Sequence, residues 1–165
     1  MDFILFIILL ITLRLTELYI SSRNEKWLLS NGAIEYGRGH YPFVIALHTS
    51  FIISMVAEYY FSGQSNQINY AFLALLIALL LFKWWILASL GKYWNTRVYR
   101  IPGSEPVKRG PYRFIKHPNY VDVVGEIAII PLVFHLYYTA IIFSILNVFM
   151  LTVRIRVENK VWGYK

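Results

Sequence analysis

The chain carries apolar runs long enough to cross a bilayer, which restricts it to the few architectures that satisfy every backbone polar group inside lipid. A crossing helix needs about 20 predominantly apolar residues. Residues 3–20, 43–61 and 70–90 each meet that requirement. Residues 121–153 are apolar for 33 positions, too long for one crossing and short for two. Pro131 and the polar break His135-Leu-Tyr-Tyr-Thr139 divide this run into a tight helical hairpin, 121–134 and 138–153. The sequence therefore predicts an all-α integral membrane protein of one domain with five spans. The opening MDFILFIILL has no basic n-region and no small-residue cleavage site, so it reads as the first span and not as a removed signal.

Composition agrees. Hydrophobic residues make up 58% of the chain and mean hydropathy is +0.51, against about 45–50% apolar in soluble domains. The formal net charge is +7. In a membrane protein that surplus reads as cytoplasmic loops beside anionic lipid, not as a nucleic-acid footprint. With no cysteine, thiolate catalysis and disulfides are excluded. The loop 62–69, SGQSNQIN, and the hairpin tip carry no Lys or Arg. The segments 91–120 and 154–165 and the connection after the first span carry nearly all of them. Loops rich in Lys and Arg stay in the cytoplasm, which predicts an outside N-terminus and a cytoplasmic C-terminus.

Two polar motifs fall on the basic side: RGPYRFIKHPNY at 109–120, and Arg154-Ile-Arg-Val-Glu158 after the hairpin. The hairpin returns the second motif to the first, so a polar ligand site is expected there. Pro118 excludes His117 from helical geometry and opens the next helix. Asn119 or the backbone could cap that helix, whereas N–H groups left exposed at such a start suit an anionic ligand group, and Tyr112 and Tyr120 suit a purine. The blander reading is a capped helix with an interfacial tyrosine. Arg154 and Glu158, spaced i, i+4, share a helix face; they read either as a helix-end ion pair or as ligand contacts, while Arg156 points elsewhere as a lipid anchor. Arg14 and Glu17 read as a structural pair. Lys83 is expected to snorkel to the basic end and Glu58 to the opposite end. Asp122 and Glu126 are expected to meet Lys116, Arg113 or Arg154. No metal-ligand spacing, P-loop or glycine-rich nucleotide fingerprint stands out.

GPYRFIKHPNY, an apolar hairpin and RIRVE together resemble the isoprenylcysteine carboxyl methyltransferase family of integral membrane enzymes, whose signature is a GPY-type turn, (R/K)HP-x-Y and R-x-x-x-E. The resemblance covers roughly residues 90–162. RLTELYISSRNEKWLLSNGAIEYGRGHYPFVIALH and LGKYWNTRVYRIPG are similar to a bacterial branch associated with type III polyketide synthases, which methylates alkylpyrones or alkylresorcinols. The resemblance implies S-adenosylmethionine as cofactor, held by Pro106, Val107, Tyr112, His117, Pro118, Asn119, Tyr120 and Glu158, with Arg154 facing the methyl acceptor as the catalytic residue. Two positions depart from the family pattern. Lys116 stands where Arg is usual, keeping the charge without the bidentate fork, and Asn159 stands where many members carry a second Glu. The expected partners are membrane lipids and a lipidic small-molecule acceptor methylated on oxygen, with a polyketide synthase as pathway neighbour and no nucleic acid. The alternatives are carboxyl methylation of a prenylated cysteine, N-methylation of a phospholipid, or a non-catalytic scaffold or small transporter. A transporter is expected to place its polar groups near the bilayer midplane, whereas both dense polar motifs here lie at one edge.

Overall fold

A computed structural model describes residues 2–63 and 67–163. Gln64 to Asn66 of the charge-free loop, and Lys165 of the basic tail, lie outside the described residues. Five α-helices dominate: α1 (Phe3–Ser30), α2 (Tyr41–Phe61), α3 (Tyr70–Leu90), α4 (Pro118–Leu132) and α5 (Tyr137–Trp162). Four of them are long and apolar enough to cross a membrane. At 15 residues α4 is the exception; it rises only about 22 Å. The all-α membrane reading holds, with one addition. Strands β1 (Ile34–Tyr36) and β2 (Val98–Arg100) pair antiparallel, Glu35 opposite Tyr99. These three-residue strands lie far apart in sequence, so no local periodicity announces them.

Two helices overrun their expected spans. α1 continues ten residues past Ile20, and α5 runs unbroken through RIRVE to Trp162. α4 and α5 turn back through His135, held at φ +59, so the hairpin forms with its tip where the polar break predicts. Outward faces carry apolar side chains such as Ile4, Ile8, Trp84, Ile141 and Phe149, all exposed, as a lipid-facing surface requires. The core sits toward the charge-free end. Phe3 stacks on Tyr59 with centroids 3.8 Å apart and meets Phe134 edge-on, and Met55, Ile127 and Val133 are fully buried beside them. Glu58 does not snorkel. Its carboxylate accepts from the backbone N–H groups of Tyr138 and Thr139, 3.0 and 2.7 Å away, capping the first turn of α5, where a negative charge complements the helix dipole.

The charged residues inside the spans also correct the sequence reading. Lys83 does not reach for solvent. It is buried, with Nζ 2.6 Å from Glu126, 2.8 Å from Glu17 and 3.4 Å from Asp122. Arg14 pairs with Glu17 as expected, at 2.7 Å, and also with Glu126, at 2.9 Å. Asp122 and Glu126 thus meet Lys83 and Arg14, not Lys116, Arg113 or Arg154. The physical reason is local supply. α1 and α4 present three carboxylates at the depth of the ammonium, and pairing at low dielectric outweighs stretching toward water. This network ties α1, α3 and α4 together below the polar end.

Cysteines replacing Ser62 and Ser104 in this cysteine-free chain are expected to react with an impermeant maleimide from opposite sides of the membrane. Equal labelling of both from one side would contradict the loop-charge orientation.

Candidate active site

The overrun of α1 builds the site's floor. Asn24, buried on that extension, donates to the backbone carbonyls of Trp94 (2.7 Å) and Gly91 (3.1 Å). Ser21 accepts from the Thr96 backbone N–H, and the Ser21 carbonyl accepts from Asn95. These bonds pin the turn after α3, so the chain enters β2 at a fixed place. Against β1, the ribbon is locked by charge. Arg97 lies 3.3 Å from Glu35 and 3.5 Å from Glu25, with its guanidinium over the Tyr41 ring. Tyr99 donates to Glu25 at 2.6 Å, and burial together with that carboxylate pushes its phenol up to about 12.

The opposite wall depends on one glycine. Gly110 has φ +57, and a Cβ there would stand 1.9 Å from Ser89 Oγ and 3.2 Å from Trp85 Nε1. Only glycine allows both the left-handed turn and the contact with α3. Arg109 fastens the same turn by donating to the Ser89 carbonyl at 2.6 Å. Gly110→Ala is therefore expected to cost about 1–3 kcal/mol in backbone strain alone, more with the clash. A lower unfolding temperature in detergent, accompanied by loss of ligand binding, would register it.

Between these walls lies a cavity of about 390 Å³, within the range of small-molecule sites. Eight of the nine residues singled out from the sequence line it: Pro106, Val107, Tyr112, His117, Asn119, Tyr120, Arg154 and Glu158. Pro118 does not. It is buried at the first turn of α4, where it fixes the helix start, with His117 at φ −131 just outside the helix. Asn119 does not cap that helix; its Oδ1 accepts from Trp94 Nε1 at 3.3 Å.

The far end of the cavity is a polar cluster. Tyr120 donates to Glu158 Oε2, and His117 Nδ1 lies 3.7 Å from the same oxygen. His117 Nε2 pairs with Asn159 Oδ1 at 2.9 Å, so the residue that departs from the family pattern orients this imidazole. The His117 and Tyr120 rings stack. Burial, then the Glu158 carboxylate, pushes the Tyr112 phenol up, keeping it a protonated donor. Arg154 is buried, in contrast to exposed Arg156, as the i, i+4 face argument requires. Its Nη2 donates to the Thr96 carbonyl at 2.9 Å, its guanidinium sits over Tyr120, and its buried Nε has no partner. Arg100 also lines the cavity with a buried, unpartnered Nε, although it donates to the Val161 carbonyl and packs over Trp162.

Trp94, Arg97, Arg100 and Trp162 are cavity residues that sequence reasoning missed. Their signal was tryptophan and arginine embedded in the basic segments instead of at span ends, and it becomes readable only once β1 and β2 are seen to pair.

Apolar helices long enough to cross a membrane, with a cavity at their basic end lined by both aromatic and charged side chains, define an integral membrane protein with a candidate ligand site. Residues 72–162 match the isoprenylcysteine carboxyl methyltransferase (ICMT) family. The chain belongs to that family of membrane methyltransferases, whose members use S-adenosylmethionine as methyl donor. It is similar along nearly its whole length to the uncharacterized protein YpbQ of Bacillus subtilis (strain 168), 42% identical over 96% of this chain and 95% of that protein. An uncharacterized protein of Haemophilus influenzae is 26% identical over 94% of this chain and 91% of its own length. No solved structure matches the chain.

Proposed function

We propose that the protein transfers a methyl group from S-adenosylmethionine to an oxygen of a lipidic acceptor at the cytoplasmic membrane interface, the acceptor being a hydroxyl of an alkylpyrone or alkylresorcinol. The observation that carries this reading is the convergence of 109–120 and 154–158 on one cavity of about 390 Å³. The donor set fits the cofactor. Glu158 offers a carboxylate to a cationic or hydroxyl group, Tyr112, Tyr120 and Trp94 offer aromatic faces to a purine, and unpartnered Arg100 Nε suits an anionic group. When bound, S-adenosylmethionine supplies a methyl group activated by a sulfonium.

The residues do the rest by placement. His117, Tyr120 and Glu158 hold one reactant in the cavity that Arg154 also lines, with a buried Nε that has no hydrogen-bond partner. Orientation of two reactants and exclusion of water are the main contributions such a displacement asks of a protein. Arg154 favours a developing oxyanion by opposite charge. An alkyl chain has lipid-exposed helix faces to lie against while its head reaches the interface.

Family members methylate carboxyl groups, which gives carboxyl methylation of a prenylated cysteine a specific standing as second reading. Offering purified protein and radiolabelled cofactor an alkylresorcinol, an alkylpyrone and N-acetylfarnesylcysteine side by side decides between them. Label transfer to a ring hydroxyl is expected. Ester formation on farnesylcysteine with no ether product would make the second reading the better one.

A further inference from the structure

A hydroxyl acceptor differs from a carboxylate in one respect that the cavity residues leave open: it must lose a proton. Arg154 cannot take one, because a guanidinium stays protonated in proteins. Glu158 is already engaged by Tyr120, and the His117 ring is held by Asn159 on one nitrogen and faces Glu158 with the other. The seam between α2 and α5 supplies another group. These helices run antiparallel, with Ser54 Oγ 2.9 Å from Thr139 Oγ1 and the Phe51 and Phe143 rings 5.4 Å apart. Just ahead of α2, Gly37 faces Val157. Continuing this register places position 40 level with position 154. His40 is there, in the 3-10 turn Arg38–His40 that leads into α2.

The seat of this imidazole is shaped for it. A Cβ on Gly37 would stand 2.2 Å from His40 Cε1 and 2.6 Å from Nδ1, so the ring occupies the space that glycine leaves at position 37, at φ +67. No hydrogen bond engages the ring among the described residues. Burial, then the Arg154 guanidinium, holds its pKa below the ordinary range. Arg154 is the charged group that acts on it from the packed elements. The imidazole is therefore neutral at cytoplasmic pH and has a lone pair to offer. It sits at the polar end, half-exposed, with a route to return a proton to water. His48 lies eight residues on, inside α2, where its Nδ1 is buried away from water and unpartnered.

Resting on the reading of the acceptor as a lipid hydroxyl, we infer that His40 is the general base of the reaction, accepting the hydroxyl proton beside Arg154. The acceptor oxygen bonds to the methyl carbon as the carbon–sulfur bond breaks, with its electron pair left on sulfur. The O–H proton passes to the imidazole and then to cytoplasmic water. His40 lies outside residues 72–162, so the part of the chain that matches the family does not contain it.

The test compares wild type with H40Q and H40N in detergent, using 5-pentadecylresorcinol and N-acetylfarnesylcysteine as acceptors. Cofactor affinity within about threefold of wild type would show that the cavity has folded. A positioned base contributes about 10²–10⁴-fold, so kcat for the resorcinol is expected to fall at least 100-fold with KM little changed. The wild-type rate is expected to rise with pH through a pKa below 6.5 and then level. The variants are expected instead to climb toward pH about 10, where a phenol ionises unaided. Any ester formation on farnesylcysteine, already ionised, is expected to survive both substitutions. Resorcinol turnover by H40Q at the wild-type rate and pH profile would overturn the inference alone. The same loss from H48Q and not from H40Q would also overturn it. A wild type that methylates only farnesylcysteine would overturn the hydroxyl reading itself.

Discussion

Lys83→Met is expected to destabilise the protein by about 3–5 kcal/mol, the range for removing one partner of a buried ion pair. Lys83 is buried between Glu17, Glu126 and Asp122. Without its ammonium, three carboxylates remain against Arg14 alone. Both Asp122 oxygens are buried and make no hydrogen bond, so Lys83 is the cation nearest to them. Thermal unfolding in detergent, read by loss of native fluorescence, measures the effect. The double variant K83M/E126L, which removes a charge of each sign, is expected to recover part of the loss, as coupled partners do. Additive losses from the two single changes would show that the network does not act as a unit. Because α4 carries both Glu126 and Tyr120, K83M is also expected to weaken cofactor binding without touching the cavity.

Arg154→Gln is expected to lower kcat by about 10²–10³-fold, the usual effect of removing one preorganised group that stabilises developing negative charge. Cofactor affinity should change far less, because Glu158, Tyr120 and His117 remain in place. Arg156 occupies another helix face and is exposed, so Arg156→Gln is expected to leave turnover within about twofold. Radiolabel transfer to the lipid acceptor, with cofactor affinity measured in parallel, separates the two. Loss of turnover in R156Q with R154Q unaffected would reverse the assignment of faces.

The membrane class, the hairpin and most of the cavity were legible because each rests on local signals. Apolar run length marks the spans, Pro118 marks a helix start, and i, i+4 spacing sets Arg154 and Glu158 on one face. The misread residues share a different property, since their partners lie on other helices. Lys83 is within reach of water if α3 stands alone, and only the depth of Glu17 and Glu126 on neighbouring helices makes pairing the better solution. Glu58 likewise appears free until α5 begins beside it. The β-ribbon escaped for the same reason, as three residues after α1 find partners 62 or more positions away. With the ribbon went Arg97 and Arg100 as cavity residues, and the use of α1's polar extension as the clamp on Asn95 and Thr96.

Direct binding of S-adenosylmethionine to the purified protein, by equilibrium dialysis with the labelled cofactor, tests the central claim that 109–120 and 154–158 form one cofactor site. Wild type is expected to bind saturably. E158Q, H117A and Y120F are each expected to weaken binding about tenfold or more, since a hydrogen bond to a charged group contributes about 1.5–3 kcal/mol and Tyr120 donates directly to Glu158. Wild-type affinity retained in all three variants, with unfolding temperatures unchanged, would contradict the account.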